Sequence, residues 1–172
     1  TMEKKDLDWG NIGFSYMPTD KRYVANYKDG AWDEGGMTSD PNVVINECAG
    51  ILQYCQEIFE GLKAYTTEDG SIVTFRPDLN AERMMDSARR LEMPPFPKER
   101  FLEAVDQVVK ANAAWVPPFG SGATLYLRPY MFATGPVIGV KPSQEYQFRL
   151  FGTPVGPYFK GGAKPLTLCV SD

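Results

Sequence analysis

Residues 52–65 read Leu52-Gln53-Tyr54-Cys55-Gln56-Glu57-Ile58-Phe59-Glu60-Gly61-Leu62-Lys63-Ala64-Tyr65, and within this stretch the chain changes backbone periodicity. Cys48, Leu52, Cys55 and Phe59, flanked by Ile51 and Ile58, recur at helical spacing, and Gly61 is a helix-ending residue. Residues 47–61 are therefore expected to form a helix. Strand formers follow: residues 63–66 and 71–76 flank Glu68-Asp69-Gly70, an Asp-Gly hairpin turn. Pro77, which has no N–H to donate, ends the pairing. Aromatic rings, a glycine hinge and a lysine gathered in one helix-to-strand passage have the chemistry of a pocket wall.

The same signals recur outward from this stretch. Residues 22–27 read as a strand, and Lys28-Asp29-Gly30 turns it into a second short strand from Ala31. Asn80 is a good cap for a helix over residues 80–91, with Met84, Ala88 and Leu91 on one face and Met93-Pro94-Pro95 stopping it. Pro97 opens a longer helix through residue 114, with Phe101, Val105 and Val108 in period, closed by Trp115-Val116-Pro117-Pro118. Residues 123–134, 145–152 and 165–170 have strand texture, broken by Gly135-Pro136 and Lys141-Pro142. Residues 156–162 form a glycine-rich loop carrying Tyr158 and Phe159, suited to a connector that runs past a site. Hairpins with helices between them predict an α+β fold, mainly antiparallel sheet with packed helices.

The totals narrow the function. The chain has 172 residues, 43% of them hydrophobic, enough for a real core. A net charge of −4 with no basic run argues against nucleic acid and against a membrane surface. No apolar run approaches the roughly 20 residues of a membrane span, and the start lacks the apolar core of a signal peptide. Met2, after Thr1, is read as the native start. Cys48, Cys55 and Cys169 are too few and scattered for a disulfide framework or a zinc site. A cytoplasmic protein without metal is expected. With no histidine, Ser-His-Asp and Cys-His nucleophiles are excluded. Any chemistry must use lysine, tyrosine, carboxylates or a cofactor.

The opening stretch, together with Asn80-Ala81-Glu82-Arg83-Met84-Met85-Asp86-Ser87-Ala88-Arg89-Arg90-Leu91, Leu125-Tyr126-Leu127-Arg128-Pro129 and Pro154-Val155-Gly156-Pro157-Tyr158-Phe159, resembles the amino-terminal half of a branched-chain amino acid aminotransferase, a fold-type IV pyridoxal phosphate enzyme. Related fold-type IV groups are the D-amino acid aminotransferases and aminodeoxychorismate lyase; the set Phe59, Tyr126 and Arg128 is more similar to the branched-chain group. The resemblance implies a small amino-terminal domain over residues 1–153. Residues 154–172 would then be the interdomain connector and the start of a carboxy-terminal cofactor domain. The Schiff-base lysine would lie downstream of Asp172, so no catalytic residue is expected here and this piece alone should be inactive. The implied partners are leucine, isoleucine, valine, glutamate and 2-oxoglutarate, with pyridoxal phosphate as cofactor and a homodimer as the assembly. The alternative in another class is a non-catalytic α+β module that binds a small ligand or dimerises.

The resemblance also assigns residues. Arg83 corresponds to the arginine that holds the cofactor phosphate, a role suited to a planar guanidinium with paired donors; by spacing alone it reads as a solvated helix arginine. Tyr54 and Phe59 would be the helix-side wall of the substrate pocket, with Lys63 on the next strand. Without the resemblance, Phe59 reads as core and Lys63 as an exposed strand lysine. Tyr126 and Arg128, two apart on a strand, share a face. In the family this pair helps accept the substrate carboxylate; an arginine paired with a surface acid is the other reading. Phe14 and Tyr158 match further pocket aromatics. Ile138 and Val140, in Val137-Ile138-Gly139-Val140, match a loop that leans into the partner subunit's pocket, though by itself the run is a short apolar turn.

Overall fold

Asp29 and Gly30 take left-handed backbone angles, φ 53° and 83°, and Lys28 faces Ala31 directly across the turn. The Asp-Gly pair tolerates this geometry at low cost, and it matches the twist of the strands it joins. The computed structural model describes residues 3–159 and 164–170. The chain runs β1 (Arg22–Lys28), β2 (Ala31–Trp32), β3 (Gly36–Thr38), α1 (Gly50–Tyr54), β4 (Glu57–Phe59), β5 (Leu62–Thr66) and β6 (Ile72–Thr74). It continues through α2 (Pro77–Arg90), α3 (Lys98–Ala111), β7 (Thr124–Ala133) and β8 (Tyr146–Val155). Gly70, with φ 83°, closes the second expected hairpin, placing Thr66 opposite Ile72.

One antiparallel sheet results, in the order β2-β1-β8-β7-β5-β6, with β3 beside β1 and β4 beside β7. β7 and β8 pair along their full length, from Thr124 opposite Val155 to Ala133 opposite Tyr146. Alternation divides their side chains between two faces. Leu125, Leu127, Met131, Tyr146, Phe148 and Leu150 are buried with Met84 and Ala88 of α2 and with Phe101, Ala104, Val105 and Val108 of α3. Phe96 stacks on Phe148 at 3.9 Å in the middle of this core. The opposite face carries Tyr126, Arg128 and Tyr130 from β7 and Arg149, Phe151 and Thr153 from β8. The α+β class is as expected.

β4 and β5 lie end to end along the same edge of β7: Phe59 faces Tyr130, and Leu62 faces Leu127. The break between them falls at Glu60 and Gly61, beside Pro129. The Pro129 carbonyl accepts the Glu60 N–H at 2.8 Å, but proline has no N–H to return, so regular pairing cannot continue there. That interruption frees Glu60 to turn its carboxylate toward α2.

Four expectations are corrected. The helix expected over residues 47–61 is one short helix and one strand. α1 ends where Cys55 adopts φ 53° and donates its N–H to Ile51. Beyond it, Ile58 is buried between exposed Glu57 and Phe59, a period of two. α2 starts at Pro77, not at Asn80, because proline at the first helical position gives up only an N–H that has no intrahelical partner. α3 stops at Ala111 because the buried Asn112 side chain takes over: its amide oxygen accepts the Lys21 N–H at 3.0 Å, and its amide nitrogen donates to the carbonyls of Lys21 and Val108 at 2.8 Å. Residues 165–170 form no strand; Leu166, Leu168 and Val170 are exposed and no neighbouring backbone pairs with them among the described residues. Lys160, Gly161 and Gly162 of the expected connector loop lie outside the described residues.

Candidate functional site

The triple Phe59-Glu60-Gly61 is where the residues of interest converge, each through a different contact. The Arg128 guanidinium lies over the Phe59 ring, 4.3 Å from its centroid. Strand alternation puts both on the face away from the helices, and the ring's electron-rich face attracts the cation. Arg128 also lies 5.3 Å from the Tyr126 ring centroid, and its Nε donates to the Tyr126 hydroxyl oxygen at 3.1 Å. Gly61 makes room for that tyrosine: a β-carbon there would stand 2.5 Å from the hydroxyl oxygen.

Glu60 points the other way. Its side chain is only 4% exposed, and both carboxylate oxygens are taken by Arg83, Nε at 2.7 Å and an Nη at 2.6 Å. Asn80 adds a bond to the same carboxylate at 2.9 Å and one to the Gly61 carbonyl at 3.3 Å. Burial alone would raise the Glu60 pKa and is the largest single influence. The bonds from Arg83 and Asn80 and the Arg83 charge outweigh it together, leaving the carboxyl below its ordinary range. The same partnership raises the Arg83 pKa, chiefly through the hydrogen bonds to Glu60. Arg83 remains 68% exposed, and its bonds to Glu60 use only Nε and one Nη.

The aromatic surface continues from Tyr126 through Phe14, 6.2 Å away, to Tyr158, 5.5 Å further and edge-on. Phe14 comes from the opening segment, which is tied across β8: the Met17 N–H donates to the Thr153 hydroxyl at 2.8 Å, and the Gly156 N–H to the Gly13 carbonyl at 3.0 Å. A β-carbon at Gly156 would overlap the Ile12 carbonyl oxygen, so only glycine lets the two segments meet. Lys63 faces Tyr126 across the β5–β7 ladder. With Gly61, Asn80 and Phe75 they line a cleft of about 260 Å³.

The structure thus brings Phe59, Tyr126, Arg128, Phe14, Tyr158 and Lys63 to one side of the sheet, with Arg83 joined to them through Glu60. Tyr54 lies elsewhere. It was expected beside Phe59 on a single helix, but Phe59 is on a strand and the Tyr54 hydroxyl donates to the Ile138 carbonyl. α1 is further bound to that loop by Gly50 to Gly135 at 3.1 Å and Val137 to Cys48 at 2.8 Å. Ile138 and Val140 at the loop tip are 78% and 87% exposed. Glu60 was not singled out from sequence, and Asn80 only as a helix cap. The available signal was a single carboxylate inside Ile58-Phe59-Glu60-Gly61-Leu62, because a charge within an apolar run is buried only if it is paired.

Fold and site together make an α+β domain whose sheet face carries aromatic rings and a guanidinium, with a second guanidinium held at the rim by Glu60. No protein-family model matches the chain. The chain is 54% identical over 168 residues to a branched-chain-amino-acid aminotransferase of Haemophilus influenzae, covering 98% of the chain and 49% of that relative. It is 48% identical over 158 residues to the same enzyme of Helicobacter pylori, covering 92% of the chain and 46% of the relative. The fold is shared with the crystal structure of the branched-chain aminotransferase of Thermoproteus uzoniensis with norvaline. There the TM-score is 0.66 at 22% identity, over 83% of this chain and 43% of that one. The Escherichia coli branched-chain amino acid aminotransferase gives a TM-score of 0.62 at 23% identity, over 81% of this chain and 41% of that one. By sequence the chain is similar to the branched-chain-amino-acid aminotransferases over their amino-terminal half. It spans about half the length of the curated relatives it matches. Among the described residues no helix is long and apolar enough to cross a membrane.

Proposed function

We propose that this chain is the small domain of an enzyme that transfers the amino group of leucine, isoleucine or valine to 2-oxoglutarate, with pyridoxal phosphate as cofactor. The observation that carries the reading is the Phe59-Glu60-Gly61 joint, which connects an anion-ready Arg83 to the wall formed by Phe59, Tyr126 and Arg128. Pyridoxal phosphate supplies an electron-withdrawing ring that lets an amino acid lose its α-proton and exchange its amino group. The residues fit the phosphate end of that cofactor. Arg83 is exposed, is oriented by two bonds on one side, and has donors to spare on the other.

Phe59, Tyr126, Phe14 and Tyr158 would bury the branched side chain, at about 25 cal/mol per Å² of apolar surface removed from water. Arg128 would take up the side-chain carboxylate when glutamate enters the same pocket, anchored meanwhile by the Tyr126 hydroxyl. Lys63, beside Tyr126, borders the cleft and does not hold the cofactor. The Schiff-base lysine would come from a carboxy-terminal cofactor domain, with residues 1–153 as the small domain and 154–172 leading toward it. The bond from Tyr54 to the Ile138 loop and the exposure of Ile138 and Val140 support a homodimer in which this unit reaches the partner's pocket. A cytoplasmic location is part of the same reading.

The test is amino transfer from ¹⁵N-leucine to 2-oxoglutarate, followed as ¹⁵N-glutamate. The full-length protein with pyridoxal phosphate should form it, and residues 1–172 alone should not. Labelled glutamate appearing only when D-alanine replaces leucine would overturn the substrate class.

A further inference from the structure

Glu60 is a buried carboxylate whose side-chain bonds go to Arg83 and Asn80. Its backbone N–H is tied to the Pro129 carbonyl, one residue beyond Arg128. Phe59 and Gly61 on either side of it touch Arg128 and Tyr126. Arg83 springs from α2, a different element, and its long side chain would sample many rotamers if it were free. The bidentate grip on Glu60 fixes both the distance and the plane of its guanidinium relative to the substrate wall. Asn80, one helical turn before Arg83, stiffens the arrangement by bonding both Glu60 and the Gly61 carbonyl.

We propose that Glu60 is a positioning residue for the phosphate end of the cofactor. It does not touch the cofactor; it holds Arg83 ready for phosphate and sets the spacing between that phosphate and the Phe59, Tyr126 and Arg128 wall. The inference rests on the reading of Arg83 given above. Two physical effects oppose one another at this site. A carboxylate beside Arg83 partly neutralises the charge that attracts phosphate, whereas a fixed guanidinium avoids the ordering cost of binding. Two of the guanidinium's three nitrogens are already engaged at 2.6 and 2.7 Å, which fixes its plane and leaves the third free; the sign of the Glu60→Gln effect on binding decides which effect is larger.

The test uses the full-length protein and two probes, pyridoxal phosphate and pyridoxal, which lacks the phosphate. Binding to the apoprotein is followed by absorbance and by dissociation rate, not by turnover. Glu60→Gln keeps the shape and the Asn80 contact but loses the charge, and it should weaken pyridoxal phosphate about three- to tenfold, the range expected for releasing one ordered side chain. Pyridoxal affinity should stay within about twofold. In an Arg83→Gln background the Glu60→Gln effect should vanish, because nothing is left to position. Glu60→Asp, which retains the charge but cannot span the same gap, should fall between wild type and Glu60→Gln, and it carries the comparison if Glu60→Gln does not fold. Equal loss of both probes would make Glu60 merely structural and overturn the proposal, as would tighter binding of pyridoxal phosphate by Glu60→Gln. If wild type itself did not prefer pyridoxal phosphate to pyridoxal, the reading of Arg83 would fail first; if that preference held but Glu60→Gln left it unchanged, only the positioning role would fail.

Discussion

Replacing Gly61 by alanine should destabilise the domain through one contact. The backbone there lies outside the left-handed region, so alanine is not conformationally excluded. Its methyl group, however, would stand 2.5 Å from the Tyr126 hydroxyl oxygen and 3.1 and 3.2 Å from two of its ring carbons. Relief requires the ring to move, and the ring is held by the 3.1 Å bond from Arg128 and by the packed β7–β8 ladder. Overpacking of this kind costs about 1–3 kcal/mol. Glycine to alanine returns about 0.4–1 kcal/mol by restricting the unfolded chain. The net loss is about 1–2 kcal/mol, which at about 2–4 °C per kcal/mol for a domain of this size lowers Tm by about 2–8 °C. Thermal and urea unfolding followed by circular dichroism measure it. Tyr126→Phe removes the closest contact, so adding it to Gly61→Ala should recover at least half of the loss, while alone it costs the Arg128 bond, about 1 kcal/mol. Gly61→Ala as stable as the parent, or simple additivity of the two substitutions, would refute the close approach.

Other consequences are as specific. Phe148→Ala removes a fully buried ring stacked on Phe96, and urea denaturation should show a loss of about 3–5 kcal/mol. Gly156→Ala cannot be accommodated without moving the Ile12 carbonyl, so hydrogen exchange at Gly156, whose N–H donates to Gly13, should accelerate by more than tenfold as the opening segment detaches. The Glu60 carboxyl is held below its ordinary 4.5; its folded-state pKa is depressed, so its contribution to stability is complete above about pH 4.5 and is lost as pH falls through the folded value. Glu60→Gln should therefore show a shallower decline in stability between pH 5 and 3 than the parent in acid titration. Asp78 titrates near 2, chiefly because of its hydrogen bonds from Arg76; its carboxyl ¹³C shift should hold steady until pH falls below about 3, and Arg76→Gln should move the midpoint up.

The turns and the long strands were legible from sequence because local chemistry decides them. Asp29-Gly30 and Asp69-Gly70 need no distant partner to bend, and the alternation in residues 124–133 marks its own two faces. The passage from Cys48 to Phe59 was not, because its apolar spacing fits a helix as well as it fits a short helix followed by a strand. What decided between them was a partner almost seventy-five residues away in the chain, the β7 edge that receives Glu57–Phe59. Residues 165–170 failed in the opposite sense: strand formers that no edge pairs with among the described residues form no strand and stay exposed. At the site, Tyr126 and Arg128 were legible as neighbours on one strand face because alternation alone decides that. Glu60 and Asn80 act through where the fold sends them. Tyr54 does not share a helix with Phe59, and its hydrogen bond to the Ile138 carbonyl could not be read from its place in the run.

In the proposed function the guanidinium of Arg83 and the wall of Phe59, Tyr126 and Arg128 serve a single bound cofactor and substrate. A crystal structure of the full-length protein with pyridoxal phosphate and a leucine analogue tests it. The phosphate should lie at charge-assisted hydrogen-bond distance, about 2.7–2.9 Å, from Arg83, with the branched side chain against Phe59 and Tyr126. A phosphate held elsewhere while Arg83 stays bound only to Glu60, or a side chain directed away from those rings, would contradict it.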